Sequence, residues 1–371
     1  MRFGGRSRPL VSVVVPVYNV ADYLPHCLES LLAQRRVELD IVVVDDGSSD
    51  ESGAIADGYA AEEQRVRVVH TDNHGLGAAR NEGLRHISGE YVGFADSDDV
   101  VAPAAYDVMV SSLEESGSDF VTGSIVWWES TGLREPPWMH RLHHPGRTGA
   151  TAAEHPEILG DVFAWNKLFR RTFWESAGLA WPEGVRYEDQ PTTTRAYLAG
   201  RFDVLPEIVY HWRIRDDGSS ITQQRASVTD LADRLETKRM ALASVEASPD
   251  ADAVRPYFLD RVLAGDLHRY FLLIPGCSDE WWAMLESGVR ELWGDRPLVR
   301  SGLPPVHRLT GWLVEQGRRE DAATVMMYVA GLAGRPAPRV RTDEGGVRID
   351  VPGIDPATID PAALAVRDHE A

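Results

Sequence analysis

Residues 40–50 read Asp40-Ile41-Val42-Val43-Val44-Asp45-Asp46-Gly47-Ser48-Ser49-Asp50. In Asp40–Val44 the unbroken β-branched run Ile41–Val44 predicts a strand covered on both faces, since a half-exposed strand would alternate. Acidic, Gly and Ser residues then make a turn, and the helix Glu51–Ala61 follows. The same unit recurs on either side. Val11–Val17 (VSVVVPV) is a strand that leads into helix Ala21–Gln34, with Leu24, Leu28, Leu31 and Leu32 on one face. Strand Val66–His70 precedes the Gly75/Gly77 turn and helix Leu76–Ile87. Strand Tyr91–Ala95 ends in Asp96-Ser97-Asp98-Asp99, and helix Pro103–Glu115 and strand Phe120–Val126 close the series. Such alternation predicts an α/β fold, a mostly parallel sheet flanked by helices. Sheets of this kind bind ligands at the carboxyl ends of their strands.

Beyond this region, Pro136-Pro137, His143-His144-Pro145 and Gly146 mark residues 128–160 as an irregular, exposed loop. Periodic structure returns with Glu157–Phe169, Thr172–Ala177, a helix around Gln190–Leu198 and a strand Ile208–Ile214. From Ser227 to Tyr328 the pattern is mainly helical, over Val228–Ala247, Val254–Leu273, Glu280–Leu292 and about Val306–Met327. After a Pro336/Pro338 hinge, Arg339–Val351 alternates around Gly345-Gly346 as a hairpin does. The expected organisation is a flexible N-terminus at 1–9, a ligand-binding α/β domain at 10–226, and a helical region at 227–330. A short β tail at 331–371 reads as an appended hairpin or the first strands of a truncated module. The helical region suits linking, acceptor binding or homo-oligomerisation.

The chain has 371 residues, 43% apolar and 26% charged, the balance of a globular protein. Asp and Glu number 57 against 38 Lys and Arg, a formal charge of −19. That balance argues against long nucleic acid, whose binders gain affinity through a basic face. Small anions are still accommodated by local arginines, a metal or helix N-termini. Two cysteines, Cys27 and Cys277, make no disulfide framework and no zinc spacing. The apolar run Val11–Tyr18 is too short to span a bilayer. Met1–Pro9 leads into no signal-peptide pattern, and the helical and β tail has no basic cluster for anionic lipid. The expected location is the cytoplasm, with peripheral contact at the inner face of the membrane left open.

Four groups of residues carry candidate chemistry. Asp45-Asp46 on a strand-end turn can accept from a nucleobase imide and ribose hydroxyls, or can cap the turn itself. Three carboxylates at Asp96, Asp98 and Asp99 repel unless a cation or solvent screens them, and hard oxygens at this density suit Mg²⁺ or Mn²⁺. A solvated cap for the next helix is the alternative. Arg80, in Asn73-His74-Gly75-Leu76-Gly77-Ala78-Ala79-Arg80-Asn81, can offer a fork of donors to phosphate or serve as a surface arginine. Glu188-Asp189 precede a helix with Pro191 in its first turn, and read as caps or as a general base for a hydroxyl. On the strand after them His211, Arg213 and Arg215 share a face, followed by Ser219 and Ser220 on a Gly-containing loop.

Taken in order, these motifs resemble a family 2 glycosyltransferase with the GT-A fold. The resemblance rests on Val13-Val14-Val15-Pro16-Val17-Tyr18-Asn19, Val43–Asp50, Asn73–Asn81 and Phe94–Asp99, and covers about residues 10–126. A weaker likeness, from Trp165-Asn166-Lys167-Leu168 through Glu188-Asp189 to Arg213 and Ser220, is to the bacterial branch that glycosylates wall teichoic acids and other surface polymers. It implies that Pro16, Tyr18 and Asp46 frame the nucleobase, usually uracil, and that Arg80 approaches the phosphates. Asp96 would contact ribose or diphosphate, and Asp98 would ligate a divalent metal (Mn²⁺ or Mg²⁺). Asp189 would be the catalytic base with Glu188 the fallback. His211 as a further metal ligand, and Arg213 and Ser220 on the donor, carry over from the weaker part. The implied activity is inverting transfer of a hexosyl or N-acetylhexosaminyl group from a nucleoside diphosphate sugar, UDP-linked, to a hydroxyl of a polymer or glycan acceptor in polysaccharide biosynthesis. The alternatives are a non-catalytic polysaccharide-binding module on the same scaffold, and a nucleotidyltransferase. The latter lacks its Gly-rich phosphate loop here, since Pro16-Val17-Tyr18-Asn19 stands in the first βα turn.

Overall fold

Valine runs at the start of the chain become the centre of a ten-stranded sheet in a computed structural model that describes residues 10–215, 227–342 and 345–370. The described residues divide into two compact units, those within Met1–Ser219 and Ala243–Asp250, and those within Ser220–Leu242 and Ala251–Ala371. In the first, β1 (Leu10–Val17), β2 (Glu38–Asp46), β3 (Val66–Thr71) and β4 (Tyr91–Phe94) alternate with α1 (Leu24–Leu32), α2 (Ser52–Glu62) and α3 (Leu76–Leu84). These four strands are parallel, in the order β3-β2-β1-β4. Val11, Val13 and Val15 join α1's Leu24, Leu28 and Leu31 in one core, while Val42 and Val44 form a second with Ala79 of α3. Both faces of the sheet are therefore dry, which is why its strands read as continuous apolar runs.

The second half of the sheet is mixed rather than parallel. After β5 (Val100–Val101) and α4 (Ala105–Ser116), β6 (Phe120–Glu129) is separated from β4 by β9 (Lys167–Arg170), which runs antiparallel to both. The span Glu157–Phe169 therefore holds a 3-10 turn at Pro156–Gly160 and the start of this short strand. The expected exposed loop at 128–160 is overturned as well. It contains β7 (Gly132–Arg134), α5 (Pro137–His143) and β8 (Arg147–Ala150). Pro137 occupies the first turn of α5, where its missing N–H costs nothing, and Met139 and His143 of α5 are buried. α6 (Arg171–Ser176) and α7 (Asp189–Ala199) lead to β10 (Phe202–Arg213). β10 starts six residues before the predicted Ile208, because register shifts around Leu205–Tyr210 absorb Pro206.

The second unit carries α8 (Val228–Glu246, whose last residues belong to the first), α9 (Ala251–Tyr257), α10 (Ala264–Phe271), α11 (Asp279–Trp293), α12 (Pro305–Glu315) and α13 (Arg319–Gly331). The predicted helix over Val254–Leu273 is interrupted by a π-helical turn at Phe258–Leu263. Trp281, Trp293, Phe258 and Leu285 fill its core. The hairpin expected near Gly345-Gly346 is present as the antiparallel pair β11 (Arg339–Arg341) and β12 (Val347–Ile349), followed by the short α14 (Pro361–Leu364). Among the described residues no helix is long and apolar enough to cross a membrane.

Candidate active site

Strand order brings the carboxyl ends of β2, β1 and β4 side by side. Pro16 is buried opposite Val44, and Tyr18, just past the end of β1, stands 51% exposed. Asn19, at φ 51°, ties this edge to the next turn by accepting from the N–H of Ser49 at 2.8 Å and of Asp50 at 3.3 Å. Asp46 closes β2. Its carboxylate accepts from the N–H groups of His74 (2.9 Å) and Gly75 (2.8 Å), so it fixes the turn that starts α3. Gly75, at φ +89°, permits that turn. Asp46 also lines a cavity of about 500 Å³ with Thr71, His74, Ala79, Glu82 and Glu183. The turn-capping and ligand-facing readings of Asp46 are thus compatible.

Arg80 is the centre of the site, and it differs from the expected surface or phosphate-facing arginine. Its side chain is 0% exposed. Nη2 donates to Asp96 Oδ1 at 2.8 Å, while Nη1 donates to Glu188 Oε1 at 2.6 Å and also to Asp189 Oδ1. The guanidinium lies 5.0 Å from the Trp181 ring centroid. Burial opposes its charge, and the Asp189, Asp96 and Glu188 carboxylates outweigh that, leaving its pKa above the ordinary value. With every described Nη contact on a carboxylate, Arg80 organises the acidic groups rather than reaching outward to phosphate. An all-apolar surrounding could not hold three acids together, so one buried cation is the physical requirement.

The two acids after the 180s loop are sorted by this arrangement. Glu188's side chain is 5% exposed and Asp189's 19%. Burial, then the neighbouring Asp189, push the Glu188 carboxyl up to about 8 against the pull of Arg80. Asp96 rises to about 6, from burial first and from Asp189 and Asp98. A carboxyl raised in the fold gives its full stabilisation below its unfolded pKa and loses it as pH rises through the folded one. Stability from Glu188 therefore falls between about pH 4.5 and about 8. We predict that Glu188→Gln, fixed in the neutral state, flattens the decline of Tm across that window and melts higher than wild type at its upper end. Calorimetry in matched buffers checks this, and an unchanged slope would mean that the fold holds Glu188 ionised.

The Asp96–Asp99 tract sits between β4 and β5. Asp96 donates its N–H to Tyr210 Oη at 2.9 Å. Asp99 is buried and accepts from the N–H of Arg213 at 2.7 Å, and burial raises its pKa well above the carboxylate range. Asp98 points differently. Its Oδ2 meets Arg215 Nη2 at 2.6 Å, and its carbonyl accepts from Arg213 Nε at 2.7 Å. Arg213 and Arg215 both lie over the Tyr23 ring, at 5.3 and 4.7 Å, so these two share a face as predicted. His211, on the same face two residues earlier, is half-buried in register with Val100, and burial lowers its pKa. Among the described residues the three-ligand cluster that could hold a metal is Glu135, His140 and His144. Ser220 lies outside the described residues.

Two contributing residues, Asn81 and Trp181, carried no role in the sequence reading. Asn81 Oδ1 accepts from the Trp181 N–H at 2.9 Å and its Nδ2 donates to the Trp181 carbonyl at 2.8 Å, clamping the loop that delivers Glu188. A Cβ on Gly77 would stand 2.0 Å from the Pro182 carbonyl oxygen, which is why that position is glycine. Trp181 packs edge-on to Phe94 at 4.9 Å. The signal for Asn81 and Gly77 was present in the 73–81 motif; Trp181 follows no pattern that spacing reveals.

Comparison with known proteins agrees with this architecture. Residues 12–176 match the family model described as Glycosyl transferase family 2. It is 36% identical over 222 residues to the uncharacterized glycosyltransferase EpsJ of Bacillus subtilis (strain 168), a match covering 58% of this chain and 63% of that protein. It is 29% identical over 265 residues to the poly(ribitol-phosphate) beta-N-acetylglucosaminyltransferase TarS of Staphylococcus aureus (strain MW2), covering 70% of this chain and 44% of TarS. The chain thus spans less than two thirds of the length of either curated relative. The crystal structure of S. aureus TarS 1–349 in complex with UDP-GlcNAc superposes with TM-score 0.71 at 22% identity, over 93% of this chain and 98% of that one. The fold is GT-A.

Proposed function

We propose that this protein transfers a sugar from a nucleoside diphosphate sugar, UDP-linked, to a hydroxyl of a cell-surface polymer or glycan, with inversion at the anomeric carbon. The observation that carries this reading is the Arg80 hub, which gathers Asp96, at the end of β4, with Asp189, at the start of α7, on one guanidinium. It sets a carboxylate able to take a hydroxyl proton beside the acidic tract expected to face the diphosphate. Tyr18, exposed at the rim, and Pro16 and Asp46 frame the base. Among the described residues Arg213 Nη2 is buried without a hydrogen-bond partner. An unspent guanidinium donor next to Asp98 suits phosphate oxygens, because leaving it unpaired is costly. The relatives' printed acceptor, poly(ribitol-phosphate), and the UDP-GlcNAc of the TarS complex favour a polymer acceptor and a UDP donor here.

A divalent metal fits Asp98. Its side chain is 26% exposed, offers hard oxygens, and already draws a cation in Arg215. Bound there, Mg²⁺ or Mn²⁺ would supply positive charge to the departing diphosphate. Asp96 lies two residues away with its second oxygen unbonded to Arg80 and would assist. The protein's own part is to hold the donor between β1, β2 and β4, to aim the acid of α7 and to counter developing charge with Arg213. Peripheral membrane contact and homo-oligomerisation belong to the same reading, as does residence in the cytoplasm, where nucleotide sugars are the donors.

The test is UDP release from a panel of UDP-sugars with Mn²⁺ or Mg²⁺, with and without chelator, using water as acceptor. Release with one donor, lost on chelation and in Asp98→Ala, is expected. Donor-independent background that chelation leaves unchanged would overturn the reading.

A further inference from the structure

The Trp165-Asn166-Lys167-Leu168 motif has no place in the donor site, yet it encloses a fully buried pair of charges, Asp161 and Lys167. Asp161, Asn166 and Lys167 are all inaccessible to solvent, as is the His143 side chain. Lys167 Nζ lies 3.0 Å from Asp161 Oδ1 and donates to Asn166 Oδ1 at 3.0 Å and to the Phe163 carbonyl at 2.8 Å. All three ammonium protons are spent. Asp161 is equally satisfied, accepting from Thr122 Oγ1 at 2.6 Å and from Asn166 Nδ2 at 3.0 Å, with His143 Nε2 at 3.2 Å. A buried ion pair of this kind is weak evidence for stability, since an apolar pair of equal volume does as well. Its geometry points to another use.

The Phe163 carbonyl that Lys167 holds belongs to the same peptide group as the Ala164 N–H. That N–H donates to Asp189 Oδ2 at 3.3 Å. The other oxygen, Oδ1, is taken by Arg80. A second tie lies one residue away: Thr193 Oγ1, which bonds the Asp189 carbonyl at 2.8 Å, is also 3.2 Å from the Val162 carbonyl. The loop 161–166 is thus fastened below by Lys167 and Asp161 and touches the first turn of α7 above. A cation on a peptide oxygen also polarises the N–H of that peptide, making it a better donor.

We propose that Lys167, anchored by Asp161, is a positioning residue that aims the Asp189 carboxylate through the Phe163–Ala164 peptide. This rests on the reading of Asp189 as the base. The groups facing Asp189 are Arg80 from α3, Asp96 from the end of β4, Glu188 beside it and Lys167 from β9. Arg80 fixes one oxygen, and the relayed amide fixes the plane of the carboxylate and leaves Oδ2 the oxygen with its lone pairs least engaged. Loss of Lys167 frees the peptide to rotate, and a misaimed base slows proton removal while the nucleotide still binds.

The experiment is a mutant cycle on UDP release from the donor that the panel identifies, with kcat and donor KM measured separately. Asp161→Asn/Lys167→Met removes both buried charges together, so no lone ion remains. It is expected to lower kcat about tenfold to a hundredfold, the scale of a mispositioned group, with donor KM and UDP affinity within about twofold. In an Asp189→Asn background the same double change should cost nothing further, because it acts only through that carboxylate. Wild-type kcat in the folded double variant, or an equal loss in both backgrounds, would overturn the proposal. Should the double variant not bind UDP, Lys167→Met alone, in which Asp161 keeps Thr122, Asn166 and His143, decides by the same two criteria. If Asp189→Asn itself keeps wild-type turnover, the base assignment fails, a result distinct from failure of the relay.

Discussion

Arg80→Met should destabilise the fold more than any other single change in the first unit. The substitution keeps length and apolar stem but leaves Asp96, Glu188 and Asp189 packed together without their shared cation. Breaking a buried ion pair by removing one partner costs about 3–5 kcal/mol, since the remaining charge is uncompensated. For a domain of this size that is a fall in Tm of roughly 10 °C. Part of the cost is relieved by protonation, because Glu188 and Asp96 already sit high, so the deficit should shrink as pH is lowered. Adding Asp96→Asn and Glu188→Gln to Arg80→Met should restore most of the melting temperature without restoring turnover. Scanning calorimetry at acidic and neutral pH measures both effects. A melting temperature within a degree or two of wild type would show that the three acids do not depend on Arg80.

That dependence was the part of the site least visible in the amino-acid string. The valine runs of β1 and β2, the apolar Tyr91–Phe94 and the turns after them were legible because burial on both faces leaves no polar residue to confuse the period. The acidic turns were legible because strand ends in such sheets adjoin each other. What sequence spacing did not convey is which carboxylate meets which cation. Arg80, Asp96, Glu188 and Asp189 are drawn together over 109 residues by α3, β4 and α7, and nothing local marks Arg80 as buried. Arg215 was read as sharing a face with His211 and Arg213, and spacing did not reveal its ion pair with Asp98. Around 128–160, Pro and Gly outvoted short elements whose stability comes from tertiary contacts, as with His143 of α5 on Asp161. β9 was obscured for a related reason: four residues, one of them a charged lysine, seldom announce a central strand, and Lys167 is tolerated there because Asp161 neutralises it.

On the proposed reading of Asp189 as the base, the largest catalytic effect is expected there. Its neighbour Glu188 is the more buried acid, and burial and the adjacent Asp189 carboxylate push it toward its neutral form. Asp189 keeps one oxygen on Arg80 and turns the other to a single long contact with Ala164. An acceptor hydroxyl attacking the anomeric carbon needs its proton removed as the oxocarbenium-like centre develops, and in the proposed mechanism this oxygen takes it. Asn in its place preserves size and a hydrogen-bonding oxygen but removes the basicity. Donor binding, made on other strands, should be unaffected.

The decisive measurement is therefore UDP release by wild type and Asp189→Asn from the same UDP-sugar, with UDP affinity determined calorimetrically on both. The account predicts turnover lower by about 10²–10⁴ in the variant, at an affinity within about twofold of wild type. Undiminished turnover, or affinity and rate lost together, would contradict it.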